Sequence, residues 1–577
     1  MTSKRWVAGI ISFVSATGVL IVGAESEAAP PTSTPQAARG ASVPFTTYEA
    51  ESAAHNGSVI GPDYTQASLA SEASGRKAVR LTQGQHVEFT LAGAANAVNV
   101  HYSVPDGSEG TLSVYVNGTK LDQRLNLTSR YSYIETPWIP GAKNHHFYDD
   151  DRLLLGSDLS AGDTVAVQVD GGDGGEATID LADFEQVAGP AAQPGGSVSV
   201  TDHGAVAGDG QDDVNAFRAA INAAAKGAGA EVWIPAGEFN LNSAQQLDQV
   251  TIRGAGAWHS VLRSNNPFNN GGVSGNIKLY DFAVMGAVTE RNDGSPDNGF
   301  HGALGAGSVV SGLWLENLKC GLWLMNGATS NLRIDGNRIL NMMADGVNFD
   351  GAVTDSVIHN NYLRNTGDDA LATWSNGTPN ARNSLTDNTI VQVNLANGIA
   401  IYGGQGATVS GNLVQDTNAL GGGILVANRF NSTPLTGEFT LANNKTVRAG
   451  ALDPNWQFGV GALWFDARDT AFSGATIRVT GFEAVDSPYE VFQFIDGNGV
   501  GKSIQGITID GATATGVGTF VAQAQTGGSV TISNVTATDV GSAGTYNCAY
   551  PTGTPPMRFA SSGNSGWDSS WEGCAWP

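Results

Sequence analysis

Four asparagines recur at nearly even intervals in the middle of the chain, and this spacing constrains the fold more than any other feature. Asn337, Asn361, Asn388 and Asn412 each begin a short apolar segment, at intervals of 24, 27 and 24 residues. Repeats of this length indicate stacked solenoid coils whose strands lie about 4.8 Å apart. We expect the asparagine amides to stack at coil corners and bond to one another. A β-propeller would need four strands in each repeat of about 40–50 residues, so the period favours a parallel β-helix.

Three aspartates occupy matching positions in two of these repeats. Asp345 lies eight residues after Asn337, Asp369 lies eight residues after Asn361, and Asp368 directly precedes Asp369. Stacked coils would place Asp345 above Asp369 with Asp368 beside them. Three carboxylates on a rigid surface suit acid/base hydrolysis of a glycosidic bond. In this interpretation Asp345 and Asp369 share one water as general base and Asp368 is the general acid, with at least one pKa raised by crowding. The alternative is that Asp368 and Asp369 only form a polar turn.

The rest of the chain divides by changes in pattern. Residues 1–29 have the charged start, apolar run and small-residue end of a secretory signal peptide, and three hydroxyl residues in the run disfavour a membrane anchor. Residues 30–42, rich in Pro, Thr and Ala, are typical of a linker. Residues 43–187 alternate apolar and polar positions in short runs, which predicts an antiparallel β-sandwich. Residues 197–577 are predicted to form the β-helix, with a helix over 214–226 capping its first coil. The fold class is therefore all-β.

The charge of the chain indicates which partners to expect, and its cysteines indicate one possible disulfide. The formal charge is −25 with no basic cluster, which excludes binding along a phosphate backbone, so we expect no nucleic-acid partner. No later segment is apolar enough to span a bilayer, so we expect a secreted, extracellular protein with no membrane partner, and a monomer. Cys548 and Cys574 could form a disulfide near the C-terminus, whereas Cys320 has apolar neighbours and is predicted to be a buried free thiol.

The segments around the three aspartates resemble the catalytic core of glycoside hydrolase family 87, which contains α-1,3-glucanases (mutanases) and mycodextranases. Residues 334–348 and 364–375 carry the resemblance, supported by residues 251–258 and by residues 145–152 of the sandwich. The resemblance spans roughly residues 43–540. It implies a right-handed parallel β-helix closely paired with the sandwich, inversion at the anomeric carbon, and catalysis by Asp345, Asp368 and Asp369.

Aromatic side chains near the aspartates are candidates for sugar binding. Trp374, five residues after Asp369, is the preferred sugar platform because a wide aromatic face stacks well on a sugar ring. His301 could line the cleft, although a lone histidine is more often structural. The apolar neighbours of Trp314 and Trp323 favour the core for both.

The sandwich resembles carbohydrate-binding modules of families 6 and 35. In those modules, acidic residues from the two ends of the domain hold a structural calcium ion. Glu49 and Glu51, with Asp180 or Asp183, supply oxygens of the right kind. Ordinary solvated carboxylates are the alternative.

These observations predict a secreted inverting endo-glycosidase that cleaves α-1,3-glucosidic bonds of α-glucan, with no cofactor for catalysis. One alternative is a mycodextranase that hydrolyses the α-1,4 bonds of nigeran. A second, from another class, is a non-catalytic β-helix that binds glycans, which would not need the three aspartates. A pectate lyase is a further alternative, but it would want calcium and basic residues, and Lys and Arg are scarce across residues 340–400.

Overall fold

Extended strands make up almost all of the regular structure, as the composition predicts. The computed structural model describes residues 39–132, 146–226, 230–496, 502–542, 544–548, 556–569 and 572–573. The predicted signal peptide lies outside these residues, as does the predicted linker up to residue 38. Residues from Arg39 onward form one compact unit. Among the described residues no helix is both long and apolar enough to cross a membrane.

The sandwich consists of two antiparallel sheets around one apolar core, as predicted. Alternate side chains of both sheets are buried, for example Val87, Phe89, Val165 and Val167. The first sheet comprises Phe45–Glu49, Ser58–Ile60, Ala78–Thr82, Ala95–Ser103, Asp149–Leu159 and Glu176–Glu185. The second comprises Ala54–His55, His86–Thr90, Glu109–Val116, Thr119–Thr128 and Thr164–Gln168. Short 3₁₀ turns cover Ala50–Ser52, Ala70–Glu72 and Ser74–Arg76.

The second part of the chain is a parallel β-helix with three faces, which confirms the predicted architecture. Sheet I comprises Val198–Ser199, Val232–Ile234, Thr251–Gly254, Lys278–Tyr280, Gly305–Ala306, Val309–Ser311, Thr329–Ser330, Arg333–Asp335, Val353–Thr354, Val357–His359, Ala381–Thr386, Gln405–Ser410, Thr436–Ala442, Gly474–Thr480, Ile504–Asp510, Gly528–Ser533 and Met557–Ser562. Sheet II comprises Gly237–Asn240, Ser260–Arg263, Ala283–Met285, Trp314–Glu316, Arg338–Met342, Tyr362–Thr366, Thr389–Val393, Leu413–Thr417, Lys445–Val447, Glu483–Ser487, Thr513–Val517 and Thr536–Val540. Sheet III comprises Asn269–Asn270, Asn298–Gly302, Cys320–Leu324, Val347–Asp350, Leu371–Trp374, Ile399–Tyr402, Ile424–Ala427, Leu463–Asp466, Phe492–Ile495, Ala522–Ala524, Thr545–Asn547 and Glu572–Gly573. A two-stranded hairpin, Leu452–Asp453 with Phe458–Gly459, projects from the coils.

The repeating asparagines form the buried ladder that the sequence predicts. The Nδ2 of Asn337 donates to Oδ1 of Asn361 at 2.8 Å, and the same bond links each asparagine to the next through Asn388 and Asn412 to Asn444. Each amide oxygen also accepts a backbone N–H of the preceding coil, for example Asn361 N to Asn388 Oδ1 at 3.0 Å. The ladder therefore satisfies buried polar groups at the turn between sheets I and II.

The predicted capping helix is present at Val214–Lys226. Asp212 accepts the N–H of Val214 through Oδ1 at 3.2 Å, which satisfies one of the free donors at the helix start. Phe217 and Ala224 are buried against the first coils and Ile221 is partly buried. The apolar face predicted from the sequence therefore covers the end of the core.

The sandwich packs on the outer surface of sheet II through buried charges. Arg364 of sheet II lies between Asp150 at 2.6 Å and Asp183 at 2.9 Å, both from the sandwich, and the side chain of Arg364 is fully buried. Asn341 of sheet II donates to Asp149 and Asp150 at 3.1 and 3.0 Å. These contacts place sheet II against the sandwich.

The cysteines agree with the sequence analysis where the structure describes them. Cys320 is free and buried. Cys548 is disulfide-bonded, and its predicted partner, Cys574, lies outside the described residues.

Candidate active site

The three predicted catalytic aspartates lie together at the edge of sheet III. Asp345 and Asp369 precede the paired strands Val347–Asp350 and Leu371–Trp374. Stacking is direct, since the N–H of Gly346 donates to the carbonyl of Asp369 at 3.2 Å. One carboxylate oxygen each of Asp345, Asp368 and Asp369 lie within 4.8 Å of one another. The register of the repeat therefore placed these residues correctly.

Asp369 is held rigidly through both of its oxygens. Its Oδ1 accepts the backbone N–H and the Nδ2 of Asn397, each at 2.8 Å. Its Oδ2 accepts the hydroxyl of Tyr402 at 2.8 Å. Asn397 is fixed in turn by Trp464, whose Nε1 donates to its Oδ1 at 2.8 Å. The hydrogen bonds hold the carboxylate in one orientation and favour its ionised form.

The two stacked carboxyls have raised pKa values. Burial raises the pKa of Asp345 well above its usual range, and the charges of Asp368 and Asp369 raise it further. Burial and the charge of Asp368 raise the pKa of Asp369 to about 7, against the hydrogen bonds from Asn397 and Tyr402. Three carboxylates this close cannot all be ionised at neutral pH, so the cluster retains a proton shared by coupled groups.

Asp368 differs from the other two because it faces the cleft and has a cationic partner. Its side chain is 22% exposed, and its Oδ2 lies 2.6 Å from Nη1 of Arg291. The Oδ1 of Asp368 accepts the N–H of Asp369 at 3.0 Å. Arg291 also binds Asp293, through Nε at 2.7 Å.

A cleft of about 710 Å³ opens above the aspartates, and aromatic side chains line much of it. Trp374, predicted as a sugar platform, is half-buried in this lining, and its Nε1 donates to the carbonyl of Phe430 at 3.1 Å. His301 is not part of the lining, and its Nδ1 lies 2.8 Å from Nδ2 of Asn298. The other aromatic lining residues are Trp323, Tyr402, Phe430 and Trp456.

Of the two tryptophans assigned to the core, only Trp314 is buried there. Trp314 is 1% exposed. Trp323 is half-buried and lines the cleft, where its Nε1 donates to Oδ2 of Asp350 at 3.0 Å, so its assignment to the core was wrong. Trp323 and Trp374 both lie on strands of sheet III and line the cleft.

Several residues of the cleft were not predicted from the sequence. Arg291, Arg429 and Arg468 line it from loops outside residues 340–400. The cleft therefore carries more positive charge than the few basic residues within 340–400 indicate. Asn397 stacks beside Asp369 in the next coil, where its carbonyl accepts the N–H of Ala370 at 2.9 Å, but it lies nine residues after Asn388 and not eight, so the repeat did not identify it. Arg291 lies outside the repeat and gave no such signal.

The predicted calcium ligands of the sandwich occupy different surroundings. Asp183 pairs with Arg364 at 2.9 Å. Asp180 accepts the N–H of Ser74 at 3.1 Å and a hydrogen bond from Nε2 of Gln392 at 2.6 Å. The Oε2 atoms of Glu49 and Glu51 are buried without a hydrogen-bond donor. Burial raises the pKa of Glu49 to about 7. Buried carboxylate oxygens without donors fit a cation, although Glu49, Glu51 and Asp180 do not gather as closely as the three catalytic candidates.

Comparison with known proteins identifies the family. Residues 42–187 match the profile described as alpha-1,3-glucanase catalytic domain D1, and residues 213–443 match catalytic domain D2. The catalytic unit of a thermostable GH87 α-1,3-glucanase from Streptomyces thermodiastaticus strain HF3-3 is 51% identical, with a TM-score of 0.89 over 93% of this chain and 99% of that chain.

More distant solved structures agree. The Agl-KA catalytic domain is 29% identical, with a TM-score of 0.80 over 92% of this chain and 99% of that one. The catalytic domain of a GH87 α-1,3-glucanase in complex with nigerose is 26% identical, with a TM-score of 0.79 over 91% and 100%. No curated protein matches the chain. The protein is therefore a glycoside hydrolase and belongs to the GH87 α-1,3-glucanase family.

Proposed function

We propose that this protein is a secreted, inverting endo-α-1,3-glucanase that acts on polymeric α-1,3-glucan. The observation that carries the proposal is the group of three carboxylates on the floor of an open, aromatic-lined cleft. A cleft along a β-helix face accepts a chain at any point along its length, which supports endo action. Related structures contain nigerose and tetrasaccharides, which supports a carbohydrate substrate.

The comparison structures support the choice of catalytic residues. One GH87 α-1,3-glucanase was studied as three single aspartate-to-alanine variants bound to nigerose or tetrasaccharides. The three replaced aspartates are spaced along that chain as Asp345, Asp368 and Asp369 are spaced along this one. We therefore keep all three as the catalytic candidates.

The proposed roles follow from position in the cleft. Asp368 faces the cleft, so it is the group that reaches the leaving oxygen and acts as general acid. Asp345 and Asp369 lie deeper and hold the attacking water as general base. Burial raises the pKa values of both deeper carboxyls, Asp345 and Asp369.

Because the three carboxyl groups lie so close together, the stereochemistry of the product is the most direct test of the proposed mechanism. Inverting glycosidases in general have carboxyl groups about 6.5–9.5 Å apart, whereas the closest oxygens of these three lie within 4.8 Å. Coil stacking accounts for the closeness of Asp345 and Asp369, which are one strand spacing apart, and Asp368 is close to both because it directly precedes Asp369 in the chain. Inversion remains the proposal because three carboxylates allow one acid and a pair that shares a water.

The experiment is proton NMR of fresh products from α-1,3-glucan, with nigeran, dextran and pectin as parallel substrates. We expect hydrolysis of α-1,3-glucan and the β anomer first, because inversion reverses the α configuration. Initial α anomer would show a retaining mechanism with Asp368 or its neighbour as nucleophile. Cleavage of nigeran at α-1,4 bonds without cleavage of α-1,3-glucan would instead identify a mycodextranase.

A further inference from the structure

A second cavity lies beside the catalytic cleft, between the sandwich and the β-helix. Its volume is about 630 Å³. The sandwich contributes Tyr64, Gln66 and Arg76 to its lining, and the β-helix contributes Asn418 and Tyr489. The Nε2 of Gln66 donates to the carbonyls of Asn418 at 3.0 Å and Leu452 at 2.7 Å, which joins the two parts at the cavity edge.

A buried donor in this lining has no partner. Asn418 is only 6% exposed, and its Nδ2 makes no hydrogen bond. An unsatisfied buried amide costs free energy, so such groups normally have a partner from the protein, water or a ligand. Asn418 is part of the cavity lining, so a hydroxyl oxygen that reaches its amide from the cavity would supply the missing acceptor.

Two tyrosines give the cavity the aromatic surface that sugar rings use. Tyr64 is 49% exposed, which is unusual for so large a ring, and the Arg76 guanidinium lies 5.4 Å from its centroid. The Tyr489 ring is fixed in place by Gly459, where an added Cβ would come within 2.2 Å of the ring. Rigid rings bind with little loss of conformational entropy.

The charge of the lining points to a neutral ligand. Among the lining residues, all of which the structure describes, Arg76 alone is charged. Its side chain is buried, lies 3.6 Å from Asp416, and donates to the carbonyl of Thr417 at 2.6 Å. Because this guanidinium is already committed, the cavity offers no free charge to an anion.

The projecting hairpin separates this cavity from the catalytic cleft. Along it, Leu452, Pro454 and Gln457 line the cavity, while Asp453 and Trp456 line the cleft. A polymer segment in the cavity would therefore lie one hairpin away from the bond that is cut.

From these observations we propose that the cavity of Tyr64, Asn418 and Tyr489 is a second binding site for a neutral α-glucan segment. It holds insoluble substrate beside the cleft, where a chain is cleaved. The inference rests on the proposed function for its substrate class, since the chemistry of the cavity specifies a neutral polyol and the cleft supplies the glucan.

The test compares Tyr64→Ala and Tyr489→Ala with wild type on two substrates: insoluble α-1,3-glucan and soluble nigerotetraose. We expect each variant to bind insoluble glucan about tenfold more weakly in pull-down isotherms, with a similar fall in its rate on that substrate. Turnover of nigerotetraose should be unchanged, which also verifies folding. Tyr280→Ala is the matched control, because Tyr280 is half-buried beneath the Arg253 guanidinium at 4.4 Å, far along the chain from the cavity.

The outcomes separate this inference from the proposed function. Wild-type enzyme that cleaves nigerotetraose, together with variants that bind insoluble glucan as tightly as wild type, would overturn the second site alone. Wild-type enzyme that cleaves neither substrate would overturn the proposed function. Equal losses in Tyr280→Ala would also contradict the proposal, because they would show a general surface effect.

Discussion

At the scale of single residues, the environment of each carboxyl determines its task. Asp369 accepts three hydrogen bonds through both of its oxygens, and Asp368 has a cationic partner. Asp345 accepts only through Oδ2, from Nδ2 of Asn348 at 3.1 Å and from Sγ of Cys320 at 4.0 Å. Each oxygen of Asp369 is therefore positioned before substrate arrives. Such preorganisation suits a base that must aim a water at one carbon.

Replacing Asp368 with Asn should abolish hydrolysis while leaving the fold intact. The amide is nearly isosteric but cannot donate the proton to the leaving oxygen, so kcat should fall by about a hundredfold or more. The measurement is the release of reducing ends from α-1,3-glucan, with melting temperature and glucan binding measured in parallel. Asp387→Asn is the control, because Asp387 is an exposed coil-corner residue. Near wild-type turnover in Asp368→Asn would refute the acid assignment.

Tyr402→Phe should move the acid-side limb of the kcat/KM profile to higher pH. The Tyr402 hydroxyl stabilises ionised Asp369 and so opposes the rise of its pKa, which burial and Asp368 bring to about 7. Without that hydroxyl the pKa rises further, by up to about one unit. A base must be ionised, so activity should appear at higher pH.

The ring contact of Tyr402 with Phe430 is retained in this variant, since the ring centroids lie 5.3 Å apart. Melting temperature should therefore change little. An unchanged acid-side limb would mean that Asp369 is not the base that controls the rate.

At the scale of elements, the stability of the assembly depends on charges buried between the sandwich and sheet II. Arg364→Met should destabilise the protein by about 3–5 kcal/mol, because it leaves Asp150 and Asp183 buried without their cation. Chemical denaturation measures the change. Arg382→Met is the matched control, since Arg382 pairs with Asp355 on the surface and its loss should barely matter. Equal effects of the two substitutions would contradict this account.

The repeat predicted the β-helix and the stacked aspartates, and the apolar face of residues 214–226 predicted the capping helix, because each is a local or periodic property of the chain. The spacing between Asn337 and Asp345 reflects the geometry of one coil and does not depend on what that coil packs against. Contacts such as Arg364 with Asp150 join residues 214 positions apart, and no periodicity encodes them. Arg291 was not predicted as a site residue for the same reason, because it reaches Asp368 from a loop outside the repeat. Trp323 was misassigned because apolar neighbours also surround an aromatic residue on a cleft floor.

At the scale of the whole molecule, the sandwich is predicted to be an integral part of the enzyme. Deleting residues 43–187 would expose Tyr362, Leu340 and Val391 of sheet II, which are now buried, together with the Arg364 side chain. We expect an insoluble or unstable fragment, read as soluble yield and melting temperature beside the full chain. A well-behaved, fully active fragment beginning at Ser197 would show that the sandwich is only a tethered module.

Treatment with a chelator can show where the protein binds calcium. We propose that calcium binds in the sandwich at Glu49 and Glu51, whose Oε2 atoms are buried without donors, and that it stabilises the fold there. The strand that ends at Glu49 pairs with the last strand of the sandwich, so an ion at this point would join both ends of the domain. At the catalytic aspartates, the Arg291 guanidinium already supplies a cation to Asp368. Chelator should therefore lower the melting temperature while leaving the initial rate at mild temperature unchanged, and Glu51→Gln should make melting insensitive to chelator. Immediate loss of activity with unchanged melting would instead place a metal ion at Asp345, Asp368 and Asp369.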